Sequence, residues 1–213
     1  PPETQQITGL LEQANNLQIN LLYPMSGMVT EETLLQEGAT RKQIGQGQTA
    51  SILRNICYYL HTNQPNDWDT LVKTMQQLFA ITLNPPIVKA ATADIVLEYN
   101  YIHKTQKTDR NLSIMQSGRG QQQVLLLLAF LLWKKNTVLL IDEPDAHLEI
   151  LRQTQIYELL QTFANQYGNQ IIIATHSEAI MNQADQLVFL LDGQATEITD
   201  KNDYKQVKIA LRE

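Results

Sequence analysis

Val138, Leu139, Leu140 and Ile141 form an unbroken apolar run that ends in two adjacent acids, Asp142 and Glu143, and is closed by Pro144. Four apolar side chains in succession suit a strand covered on both faces, as in the parallel sheet of an α/β fold. Strands of that kind deliver their C-terminal residues to the crevice where open α/β sheets bind ligands. The chain is thereby constrained to bring two carboxylates to one point on a sheet rim. One carboxylate there suits a hydrated Mg²⁺, and its neighbour can accept a proton from an attacking water. A strand end with two solvated acids is the simpler alternative.

Two further segments weigh against the simpler alternative. Downstream, Gln170 to Thr175 reads as a second apolar strand and ends in His176 and Ser177, whose imidazole can hydrogen-bond a phosphate oxygen. Upstream, Ser117, Gly118, Arg119, Gly120 and Gln121 open a long apolar helix that runs to Trp133. Glycines at a helix N-terminus let a phosphate approach backbone N–H groups, where the helix dipole also favours negative charge. Singly, His176 is a helix-entry residue, Ser117 an N-cap, and Gly118 and Gly120 loop spacers.

In this order the three segments resemble the C-terminal lobe of an ABC-type ATPase. Ser117-Gly118-Arg119-Gly120-Gln121 looks like a variant signature motif, Val138 to Glu143 like Walker B, and Thr175-His176-Ser177 like the switch histidine. Asp145-Ala146-His147-Leu148-Glu149 occupies the place of the D-loop, in a form similar to the RecF, SMC and OLD-like branch. The resemblance implies a fold class: an α/β lobe of a P-loop NTPase, with a parallel sheet core and flanking helices, beside an N-terminal helical subdomain. It also implies roles. Asp142 is expected to position Mg²⁺ through water, Glu143 to act as general base, and His176 to contact the γ-phosphate or the attacking water. Ser117, Gly118, Gly120 and Gln121 are expected to meet the ATP bound by a second protomer, giving a homodimer closed around nucleotide.

The P-loop itself is not in this sequence. G-x-x-x-x-G-K-[ST], which cradles phosphates with backbone amides and a lysine, occurs nowhere in the 213 residues. Gly45-Gln46-Gly47-Gln48-Thr49 has no lysine after it and reads as a loop before a helix. The expectation is a C-terminal portion of a longer ATPase, inactive without its N-terminal P-loop lobe, with DNA or an effector nuclease as further candidate partners and DNA repair or defence as the setting. A non-catalytic dimerisation or interaction module that keeps the fold is the alternative.

Composition narrows the field. A net charge of −6 and a pI near 5.2 oppose a broadly basic nucleic-acid surface. Arg41, Lys42 and Arg54 are the cations best placed to touch a phosphate backbone, although separated cations on an acidic chain are usually solvated. Cys57 reads as core and fits a reducing, cytoplasmic setting. Val124 to Trp133 is far shorter than the roughly twenty apolar residues of a spanning helix, so no membrane association is expected. His147 has no spaced His or Cys partner and makes a poor metal ligand.

The coarse organisation divides near residue 90. Residues 1–90 read as a mainly helical subdomain with a short strand at Ile19 to Tyr23, and residues 91–213 as the motif-bearing lobe. Helices are expected over residues 3–16, 49–61, 67–79 with Asp67 as cap, and 151–167, with a strand from Asp94 to Tyr101. The right-handed crossover through residues 151–167 should make the two motif strands parallel. Asp192-Gly193 marks a hairpin turn.

Overall fold

The computed structural model describes residues 18–23, 28–102, 111–145, 148–191 and 193–198. It is the α/β arrangement that the sequence implies. β1 (Ile19–Leu22) is followed by α1 (Glu37–Gly45), a 3₁₀ turn at Thr49–Ile52, α2 (Leu53–Asn63) and α3 (Pro65–Phe79). Five short strands come next: β2 (Ile81–Leu83), β3 (Ile87–Val88), β4 (Ile95–Val96), β5 (Glu98–Tyr101) and β6 (Leu112–Ser113). The motif segments then lie on α4 (Arg119–Trp133), β7 (Val138–Asp142), α5 (Ile150–Tyr167) and β8 (Gln170–Ala174). α6 (Glu178–Met181), β9 (Leu187–Leu191) and β10 (Gln194–Ile198) belong to a second compact unit, which begins at Thr175.

β7 is the middle strand of a three-stranded parallel sheet, with β1 on one side and β8 on the other. Ile19 pairs with Val138 and Leu22 with Ile141, so residues on both sides of position 90 share one sheet. The expected crossover is present: α5 returns the chain so that β8 runs parallel to β7, from Val138 opposite Gln170 to Asp142 opposite Ala174.

The apolar run after the signature-like segment becomes the central helix of the core. Every residue of α4 from Gln122 to Trp133 is buried, as befits a helix apolar on all sides. α2, α3 and α5 all pack on it. Trp68, Leu71 and Met75 of α3 and Ile56, Cys57 and Leu60 of α2 join the same cluster, and burial pushes the Cys57 thiol far up.

One buried side chain joins α4 to the sheet. The Asn169 amide donates to the carbonyls of Leu131 and Lys134, at 3.3 and 3.0 Å, and its Oδ1 accepts from Thr137 N at 3.1 Å. The last turn of α4, the entry to β7 and the entry to β8 are thereby held by one amide. Gly168 precedes it at φ +69°, closing α5 in the left-handed region, where an added Cβ would lie 2.5 Å from Asn136 Oδ1.

Several expectations change in detail. The helix expected from Asp67 starts two residues earlier because Pro65 fits the first helical position. Asp67 is not its cap; its carboxylate pairs with Lys135 Nζ at 2.6 Å. Arg152 of α5 grips the other end of α3, donating to Leu78 O at 2.8 Å with its guanidinium over the Phe79 ring. The strand expected over 94–101 breaks at Leu97, since β4 pairs with β3 while β5 pairs with β2 and β6. The helix expected from residue 49 opens as 3₁₀ and becomes α-helical at Leu53, and Gly45 ends α1, a helix that no apolar periodicity announces.

Arg54 is neither solvated nor free for phosphate. It is 4% exposed, donates to Val29 O and Thr30 O, and lies 4.0 Å from Glu32 Oε2. The Glu32 carboxylate also accepts from Arg54 N and from Asn55 N and Nδ2. The helix expected over residues 3–16 and His147 lie outside the described residues.

Asn169→Leu should cost about 3 kcal/mol of stability, because it strips partners from three main-chain groups at the α4–β7 junction. Urea unfolding of the variant against wild type measures it, with an unchanged midpoint counting against the bridging role.

Candidate active site

Parallel pairing sets the tips of β7 and β8 side by side. Asp142 is the last residue of β7, half-buried, with Ala174 as its cross-strand partner. Glu143 follows, also half-buried, and its N–H donates to Ala174 O at 2.8 Å. The two acids therefore stand at one end of the sheet, each partly open to solvent.

The backbone at Glu143 is unusual. Its φ of +43° lies in the left-handed region, and Pro144, which is buried, follows it. A non-glycine residue there costs roughly 1–2 kcal/mol, and a following proline disfavours helical backbone further. The hydrogen bond to Ala174 and the packing of Pro144 hold the conformation against that cost. Strain of this kind is kept where a side chain must be aimed away from the ordinary strand direction.

The signature-like segment forms the N-terminus of α4. Gly118 is the N-cap, Arg119 and Gly120 the first helical residues, and Gln122 N makes the helical bond back to Gly118 O at 3.1 Å. The amides of Arg119, Gly120 and Gln121 precede that bond and are not consumed by the ladder of the helix. Gln121 Oε1 accepts from Gly118 N at 3.3 Å. Ser117 is buried, with its hydroxyl donating to Ile114 O at 2.7 Å, so that hydrogen must rotate to serve an outside acceptor.

Gln122 escapes sequence reasoning because a glutamine within an apolar helix carries no motif. Its buried amide donates to the carbonyls of Ile114, Met115 and Ser117 at 3.2, 3.3 and 3.1 Å. It thus fixes the turn that carries Ser117 to the helix that follows. The only signal available beforehand was a polar residue at a position that the helix period buries.

His176 belongs to the second unit. It is exposed and immediately precedes Ser177, whose hydroxyl accepts from Ile180 N and caps α6. Thr175 Oγ1 accepts from Ser177 N at 2.9 Å. In the D-loop position Leu148 N donates to Asp145 O at 3.0 Å, and Glu149 is exposed at the N-cap of α5.

The residues present fit an ATP-Mg²⁺ site by donor chemistry. A Cβ at Gly118 would meet no atom within 4 Å, and its φ of −62° is ordinary, so neither backbone nor packing demands glycine there. The bare position leaves room for a group approaching the α4 amides. Among the described residues no cluster of three or more His, Cys, Asp or Glu side chains forms. Asp142 offers a carboxylate for Mg²⁺, an ion that takes one or two carboxylates and completes its shell with water and phosphate.

Comparison with known proteins places the chain among ATPases of ABC and AAA type. The chain belongs to the family described as "AAA domain, putative AbiEii toxin, Type IV TA system", whose sequence model matches residues 17–182. It is 26% identical over 148 residues to the vitamin B12 import ATP-binding protein BtuD of Photobacterium profundum, covering 67% of this chain and 58% of that protein. Over 106 residues it is 26% identical to the arabinose import ATP-binding protein AraG of Rhizobium meliloti, covering 50% of this chain and 21% of that protein. The chain thus spans only part of these relatives. An SMC ATPase, studied for ATP-driven dimerisation and DNA-stimulated activation, superposes with a TM-score of 0.50 at 15% identity, over 75% of this chain and 98% of that one. That likeness is one of fold. Among the described residues no helix is long and apolar enough to cross a membrane.

Because the backbone at Glu143 is strained, Glu143→Asn, which tolerates the left-handed region, should raise stability by about 1 kcal/mol, and Glu143→Val should lower it by a similar amount. Thermal unfolding of the two variants checks this, and equal midpoints would refute it.

Proposed function

We infer that this chain is the C-terminal portion of an ATP-hydrolysing ABC-type ATPase, which joins an N-terminal P-loop lobe and closes as a homodimer around ATP. The observation that carries the reading is the juxtaposition of Asp142 and Glu143 with the tip of β8, in a family of ATPases. Asp142 would hold Mg²⁺ through water, and Glu143 would take the proton of the attacking water. His176, two residues beyond β8, is assigned the γ-phosphate or the attacking water. Mg²⁺, when bound, supplies Lewis-acid neutralisation of phosphate charge.

Ser117, Gly118, Gly120 and Gln121 meet the nucleotide of the second protomer in this reading. The α4 amides carry the phosphate contact, and the Ser117 hydroxyl joins them after turning away from Ile114. Gln122 keeps the turn in place throughout.

The sheet supports a missing lobe. Among the described residues β8 has a neighbour on one side only. Gln170 N and Ala174 O bond towards β7, which turns the main-chain groups of Ile171 and Ile173 to the open side. Ile172 is 53% exposed, a large apolar side chain where a further layer of protein would cover it. A P-loop strand docking along this edge would complete the sheet, and without it the chain hydrolyses almost nothing.

The parent protein works in the cytoplasm, in DNA repair or defence. The toxin–antitoxin wording attached to its family favours defence. A module that dimerises without turnover is the competing reading, and one variant separates the two. In the full-length protein Glu143→Gln should bind ATP and accumulate as a dimer while hydrolysis falls about 10²–10⁴-fold. Phosphate release and light scattering measure both. Wild-type turnover in the variant would remove Glu143 as base, and no turnover in the wild-type full-length protein would favour the module.

A further inference from the structure

The outer edge of β1 has no part in the ATPase reading. Among the described residues β1 pairs with β7 alone. Gln18 O accepts from Val138 N at 2.8 Å. Alternation along the strand then points the N–H and C=O groups of Ile19 and Leu21 away from β7.

Two adjoining cavities of about 330 and 420 Å³ open along that edge and share Ile19, Asn20, Arg41 and Ile44 in their linings. α1 forms the opposite wall through Arg41 and Ile44, and Lys134 adds a second cation. The two fully charged side chains in these linings are thus both positive, on a chain whose net charge is −6. Glu37 pairs with Arg41 at 2.7 Å without lining either cavity. Burial first, and then the charge of Arg41, hold Lys134 below the ordinary ammonium range, against the pull of Glu37.

Asn20 supplies an independent observation. Its Nδ2 is enclosed and has no acceptor among the described residues, and the residue lines both cavities. A buried donor left unsatisfied costs roughly 1–3 kcal/mol, which an incoming carbonyl or carboxylate would relieve. Ile19, 57% exposed, and Tyr23, 46% exposed, give the groove apolar surface as well.

We propose that this groove binds an extended acidic segment of a partner polypeptide, which adds as a strand to the outer edge of β1 while its carboxylates meet Arg41 and Lys134. Main-chain groups of Ile19 and Leu21 supply the ladder, the two cations supply the charge preference, and Asn20 Nδ2 gains an acceptor. Duplex DNA fits less well, because it offers nothing for an open strand edge to pair with.

The test uses the full 213-residue chain and a labelled peptide of alternating Val and Glu, read by fluorescence polarisation. A Val–Lys peptide and a DNA duplex serve as controls. The acidic peptide should bind and the basic one should not. Arg41→Gln with Lys134→Gln should weaken binding about tenfold and flatten its salt dependence. Ile19→Pro removes only an outward-facing N–H at the first residue of the strand, a place where proline is tolerated, and should abolish binding while circular dichroism stays unchanged. Equal binding of the basic peptide, full affinity in Ile19→Pro, preference for the duplex, or no binding at millimolar peptide would each overturn the proposal.

Discussion

A single carboxamide sets where the motif strand begins. Asn169 holds the last carbonyls of α4 and the first amide of β7 at once, and it sits one residue before β8. A parallel sheet lacks the tight hairpins that fix register in antiparallel pairs, so its strand positions depend on how each connection is anchored. A slip of one residue in β7 would exchange the inward and outward side chains and carry Asp142 to the wrong face. The placement of the acids at the rim thus depends on polar chemistry at the opposite end of the strand.

At the rim two kinds of local order differ in character. The α4 N-terminus is held by satisfied hydrogen bonds, with Gln122 serving three carbonyls and Gln121 covering Gly118 N. Glu143, in contrast, is held in a backbone region that its residue type disfavours, by one bond to Ala174 and a buried proline. The first arrangement is at rest. The second stores energy beside the residue to which proton abstraction is assigned, as strained positions at functional sites do.

What the sequence made legible follows from the size of the apolar signal. α4, β7 and β8 are long runs with Gly, Pro or paired acids at their ends, and their type and direction could be read directly. α1 was missed because Glu37–Gly45 has two glycines and little amphipathic contrast. The Glu32, Arg54 and Asn55 cluster was missed because it joins polar residues more than twenty positions apart, where charge alone reads as surface. Asp67 looked like a cap because sequence shows only neighbours, and its real partner, Lys135, lies 68 residues on. At the site, Asp142 and Glu143 could be read from the strand that carries them. Gln122 could not, since nothing local distinguishes a buried fastening from a misplaced polar residue.

α3 is pinned at both ends to the elements that flank β7. Lys135, just before the strand, holds its first turn through Asp67, and Arg152, just after the D-loop position, holds its last turn through Leu78 O. A rod secured at two separated points has no freedom to tilt on its own. Any shift of the chain around the acids, on either side of β7, is thereby geared to the helical layer, with α3 as the connecting beam.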